Sequence, residues 1–151
     1  MKLTFLSCTL IWALFTNCGK PQEPEFRQIK DFKLKKIGLI QADVGFQIVY
    51  FNPNSFGVTV KETVDNVYVD SLFLGRFSQD SGVLAGRNAV FSIPVNGEVA
   101  LATVLKLNLA DVQNKRFHVR AEGSCRVGKA GVFIKRSVHY EGDHRLDELG
   151  F

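Results

Sequence analysis

Chemistry-bearing residues are scarce in this 151-residue chain. It has three histidines, three cysteines, one tryptophan and one methionine. A zinc centre needs several His, Cys or carboxylate ligands at workable spacing. His118 and His139 fall on the polar parity of a strand, with no third ligand beside them. No Gly-x-Ser-x-Gly motif is present, and a serine or cysteine nucleophile also needs a base held by a third group. The glycine-rich stretch 75–86 is not followed by Gly-Lys-Ser/Thr, so it fails as a phosphate loop. The carboxylates Asp147 and Glu148 lie in a polar tail that suggests no pocket. The expectation is therefore a non-enzyme with no catalytic residue, no metal and no cofactor.

Long apolar runs are also missing. The longest covers residues 3–15, broken by Thr4, Ser7, Cys8 and Thr9 and preceded by Lys2. It is too short to span a bilayer and has the size of a signal-peptide core. It closes on Leu14-Phe15-Thr16-Asn17-Cys18-Gly19. An apolar run ending on a cysteine resembles the lipobox of bacterial lipoproteins. That resemblance implies cleavage after residue 17 and a diacylglycerol on the sulfur of Cys18. It implies a signal peptide over 1–17, and a lipidated cysteine with a short Pro-containing tether over 18–25. Gly19 is not the Asp that resembles an inner-membrane retention signal, so the expected place is the bacterial outer membrane, facing the periplasm. Removing 1–17 takes away one charged residue, Lys2, and lowers the formal charge from +4 to +3. A sequence pI near 9.1 would otherwise suggest nucleic acid. In an exported chain the basic groups suit an anionic envelope surface instead. Lys30, Lys33, Lys35 and Lys36 come soon after the tether. The partners expected are thus the membrane, through the anchor, and an envelope protein or anionic surface. Oligomeric state is left open. With Cys8 removed and Cys18 acylated, Cys125 has no disulfide partner.

The remaining chain, 26–142, reads as short strands separated by turns, with 143–151 as a polar tail. Residues 45–60 are central: Phe46, Ile48 and Tyr50 share one parity, Asn52-Pro53-Asn54 stops the run, and Val58 and Val60 resume it. Pro53 donates no amide to a ladder, and Asn54 tolerates a left-handed turn. Strands are expected at 26–39, 44–51, 58–60, 67–74, 89–95, 116–127 and from 132, with a polar turn at 61–66. Pro94 suggests an edge or a strand end. Residues 98–109 fit a helix by length and Ala/Leu content, capped by Asn96. Residues 116–127 alternate most cleanly and place Cys125 inside, as a buried, unreactive core residue. A four-residue turn at 128–131 would set Val127 opposite Val132, Cys125 opposite Ile134 and His118 opposite Glu141. Arg136, opposite Gly123, would mark a bulge. The expected fold is all-β with one helix, a seven-stranded antiparallel immunoglobulin/fibronectin-like β-sandwich.

Ile48-Val49-Tyr50-Phe51-Asn52-Pro53-Asn54 followed by Val58-Thr59-Val60 resembles the late embryogenesis abundant group 2 family (LEA type 2, or WHy domain). Val67-Tyr68-Val69 leading to Leu74-Gly75 is similar to its next strand and glycine turn, and Phe91-Ser92-Ile93-Pro94-Val95 to the strand after. Residues 117–123 resemble its Tyr-x-Val-x-Gly strand, stretched by two residues. The resemblance implies a sandwich with one helix and a non-catalytic role in desiccation or envelope stress, with Asn52, Pro53 and Asn54 as structural motif residues. The alternative is a ligand-binding or adhesion-type lipoprotein using the sandwich as a scaffold. Such a binder would gather Arg76, Phe77 and Arg87 with the 128–131 turn at one end.

Overall fold

The computed structural model describes residues 21–107 and 115–145. Cys18, the apolar leader, and Asp147 and Glu148 lie outside the described residues. The chain forms β1 (Glu25–Ile37), β2 (Gln41–Asn52), β3 (Val58–Val69), β4 (Leu72–Ser78), β5 (Val83–Ala85), β6 (Ala89–Ala100), α1 (Leu101–Lys106), β7 (Arg116–Lys129) and β8 (Val132–Arg145). It is an all-β sandwich with one short helix. Eight strands are described where seven were expected. The hydrogen-bonded path runs β1-β2-β6-β4-β3-β7-β8, all antiparallel, with β5 added to the start of β3. The path is open, and it folds over so that β2 and β6 pack on β3, β5 and β7.

Two apolar clusters fill the interior. Val60, Ala85, Phe91, Ile93 and Val95 form one, joined by Phe46, Ile48, Tyr50, Cys125 and Val127. Val44, Phe77 and Val99 form the other, with Phe32, Phe46, Val67 and Val104 against it. The rings of Phe46 and Phe77 meet at 5.3 Å and link the two. The parity of Phe46, Ile48 and Tyr50 is thus the inward parity, as their alternation requires.

The expected turn at 61–66 does not form. Residues 58–69 are one strand carrying a β-bulge, with Glu62 at φ 54° and a register shift between Lys61 and Val64 against β7. The turn comes later, as a two-residue hairpin at Asp70 and Ser71, both at positive φ. The expected helix is also shorter. β2 pairs with β6 as far as Gln41 opposite Ala100, and this ladder holds residues 98–100 as strand despite their helical propensity. Asn96 lies inside β6, and the helix starts after Ala100 without a side-chain cap. Pro94 is in a central strand, but beyond the stretch of β6 that β4 covers, so one side of it carries no ladder.

The β7–β8 hairpin turns in two residues, Ala130 and Gly131, instead of four. Cys125 therefore faces Arg136, Val127 faces Ile134, and His118 faces Asp143. The register differs from expectation by two residues, an even number, so every side chain keeps its predicted face. No bulge occurs at Arg136. Both turn residues have positive φ, 52° and 85°, the pattern of a type I′ turn. Left-handed backbone costs a non-glycine residue roughly 1–2 kcal/mol, and asparagine tolerates it best. Ala130→Asn is expected to raise unfolding free energy by about 1 kcal/mol in urea denaturation.

Candidate functional site

The Asn-Pro-Asn motif closes β2. Asn52 is 2% exposed, and its side chain is fully engaged. Its Nδ2 donates to the Phe56 carbonyl at 3.0 Å and the Gly86 carbonyl at 2.8 Å. Its Oδ1 accepts from the Asn54 backbone N–H at 3.1 Å and from Asn54 Nδ2 at 2.8 Å. Asn54 in turn reaches the tether. Its Nδ2 donates to the Gln22 carbonyl and its Oδ1 accepts from the Gln22 N–H, both at 2.8 Å. The Asn88 N–H donates to the Asn54 carbonyl at 2.9 Å. The motif is a knot joining three pieces of backbone: its own loop, the β5–β6 connection and the N-terminal tether. A primary amide suits this because it offers two donors and an acceptor in one plane.

Gln22, just before β1, therefore sits at the Asn52 end of the sandwich. The β1–β2 turn is at the opposite end, about 40 Å away for a strand of this length. That far end carries exposed Ile37, Leu39, Ile40 and Leu105.

A second polar feature, within the 61–66 stretch expected to be a turn, lies inside. Asp65 on β3 is 7% exposed, and its Oδ1 has no hydrogen-bond partner among the described residues. Burial alone pushes its carboxyl up to about 6. Opposite it on β7 is Gly123, where a Cβ would fall on the Val64 carbonyl oxygen and on Asp65 Oδ1. Tyr50 is raised to about 12, first by burial and then by the negative charge of Asp65. The Cys125 thiol is raised by the same two causes in the same order. Cys125 is half-buried rather than fully buried; it stands at the β3 bulge, between the Lys61–Arg126 and Val64–Ser124 pairs, where the register shifts. Its raised thiol keeps little thiolate at neutral pH. Labelling by a thiol reagent at pH 7 is expected to be slow without denaturant and fast with it. Nearby, Thr63 Oγ1 donates to Gln79 Oε1 at 2.8 Å, and Gln79 Nε2 donates to the Val60 carbonyl at 3.1 Å and to the Ser81 carbonyl. This ties the bulge to the connection after β4.

On the outer face His118 is bracketed by two carboxylates. Its Nδ1 meets Asp143 and its Nε2 meets Glu141, each at 2.8 Å. These contacts, Asp143 first, raise its pKa. Asp70 is lowered, chiefly because the His118 backbone N–H donates to it and then through Lys115. With both ring nitrogens occupied, His118 has none to offer as a general base. Among the described residues no group of three or more His, Cys, Asp or Glu is arranged to hold a metal.

The residues considered for a binding end are not together. Phe77 is a core residue, 3% exposed. Arg76 lies in β4 opposite Glu98, while Arg87 and the Ala130-Gly131 turn are near the tether end. A shallow, open concavity of about 590 Å³ crosses β4 and β6 beside Gln41, Phe73, Arg76, Ser78, Asn96 and Glu98.

No protein-family model matches this chain. No curated protein matches it either. Among solved structures, the chain is similar to the solution structure of an Arabidopsis thaliana protein, with 11% identity, 83% of this chain and 82% of that chain covered, and a TM-score of 0.51. It also matches a crystal structure of a protein from Archaeoglobus fulgidus at 6% identity, 80% and 97% coverage and a TM-score of 0.49. A third match is a protein assigned provisionally to the late embryogenesis abundant group, at 16% identity, 82% and 71% coverage and a TM-score of 0.45. The Arabidopsis match is a likeness of fold.

Proposed function

We infer that this chain is a non-catalytic, LEA type 2-like domain held to a bacterial envelope membrane by an acylated Cys18, in the outer membrane facing the periplasm. There it protects the envelope, or holds a partner, under water or osmotic stress. The observation that carries this reading is the Asn52-Pro53-Asn54 knot. The residues on which the family resemblance rests bind the tether that follows Cys18, through Gln22. A diacyl anchor contributes roughly 0.8 kcal/mol per buried methylene, enough for stable attachment. The lysines of β1 give the domain a basic strand that suits an anionic envelope surface.

Mass spectrometry of the mature N-terminus tests the anchor. A diacylglycerol-modified Cys18 is expected, and Cys18→Ala should leave the membrane fraction. An unchanged mass and membrane fraction in that variant would refute it. Survival of a deletion strain after drying tests the role. Unchanged survival, with one stoichiometric partner captured from the envelope, would favour a scaffold that binds.

A further inference from the structure

The two outer strands of the open sheet are built differently. β1 is blunted as an edge. It has three register shifts against β2, a left-handed Asp31 at φ 55°, and Lys30, Lys33, Lys35 and Lys36. Bulges and lysines of this kind discourage a further strand from pairing. β8 has none of the backbone devices. It keeps register with β7 through fourteen consecutive pairs, without proline and without a residue at positive φ. Among the described residues nothing pairs with its outer side.

The two-residue turn determines which of its groups face outward. In such a hairpin the pair flanking the turn, Lys129 and Val132, exchanges hydrogen bonds, and the pattern then alternates. Even-numbered residues of β8 bond β7. The N–H and carbonyl groups of Phe133, Lys135, Ser137, His139, Glu141 and Asp143 point to the open side.

Charge along this edge is self-complementary. Lys135 and Arg136 lie in its first half, Glu141 and Asp143 in its second, with Arg145 at its last position, beyond the central stretch that pairs. Cations alone on an edge repel a second strand, but an antiparallel copy brings the acidic half against the basic one. We propose that the outer edge of β8 pairs antiparallel with the same edge of a second copy of this chain, about a two-fold axis at Val138. In that register Lys135 stands opposite Glu141 and Ser137 opposite His139, while Arg136 faces Tyr140 on the other side of the sheet. Glu141 Oε1 is bonded to His118, and Oε2, whose one other contact is His139 Nε2 at 3.9 Å, has room to accept from Lys135. Moving the axis to Ser137 sets Lys135 against His139, and moving it to His139 sets that histidine against its own mate. The interface is isologous and closes as a dimer.

The test is the protein mass of the full chain in neutral detergent, by size exclusion with light scattering over a range of concentrations. Twice the single-chain mass is expected. Ser137→Pro removes an N–H that faces away from β7 and so spares the hairpin. Lys135→Glu sets an acid against Glu141. Each is expected to halve the mass while the far-UV spectrum stays that of a β protein, and if Ser137→Pro loses that spectrum, Lys135→Glu decides alone. A single-chain mass for the wild type at every concentration would overturn the proposal. So would a dimer that persists in both variants, or an open series of higher masses. A dimer lost with Ser137→Pro but kept with Lys135→Glu would overturn the register about Val138.

Discussion

Replacing Asp65 by asparagine is expected to stabilise the protein at neutral pH and to remove most of its pH dependence between about 4 and 6. The folded carboxyl is raised from 3.8 to about 6 by burial, so the fold favours its protonated form. The stabilisation attached to that form is complete below the unfolded value and is lost as pH rises through the folded one. A shift of this size corresponds to about 3 kcal/mol. Asparagine is neutral at every pH but brings an amide that also needs a partner, so the net gain at pH 7 is expected to be about 2 kcal/mol. Other resolved shifts act elsewhere. Asp70 is lowered, so its contribution is lost below the ordinary carboxylate range. His118 is raised, so its bracket weakens only as pH rises through its folded value, above 6.5. Tyr50 and Cys125, raised by burial and by Asp65, and Tyr140, raised by burial, titrate well above this window. Urea denaturation of both proteins at pH 4.5 and 7 checks the point, since equal pH slopes would assign the dependence to another group.

The largest loss is expected from Asn52→Ala. It leaves the Phe56 and Gly86 carbonyls and the Asn54 N–H without their partner inside a tightly closed loop. Each buried polar group left unsatisfied costs about 1–3 kcal/mol, and relaxation recovers part of the sum. A loss of about 3 kcal/mol follows, or a fall in Tm of about 10 °C for a domain of this size. Asn52→Asp should rescue little. It keeps the Oδ1 acceptor but turns a carboxylate towards two carbonyl oxygens. Asn54→Ala is the contrast, because it releases Gln22 and its bond to Asn52 and leaves the Asn52 Nδ2 contacts in place, so a cost near 1 kcal/mol is expected. Thermal unfolding of the three variants orders them, and a small effect of Asn52→Ala would show that the knot is replaceable by water.

The sequence by itself determined the all-β class, the inward face of most strands, and the stop at Asn52-Pro53-Asn54. These are local matters of period-two alternation and of residues that cannot continue a ladder. Parity also survived an error of register. The β7–β8 turn is two residues where four were expected, and an even shift leaves faces unchanged. The bulge at Glu62 is the opposite case. It adds one residue to β3, an odd number, so the inward set passes from Val60 to Thr63 and Asp65. A lone Asp between Val64 and Asn66 in a polar stretch reads as turn, and no local signal places it inside. Only pairing with β7 decides that, and with it the unpartnered carboxylate and the glycine opposite. The helix was settled in the same way. Residues 98–100 have helical propensity, but β2 supplies a ladder up to Ala100, and those hydrogen bonds and the burial of Val99 outweigh it. The partners of Asn52, more than thirty residues away at Gly86, likewise exist only once β5 and β6 are in place.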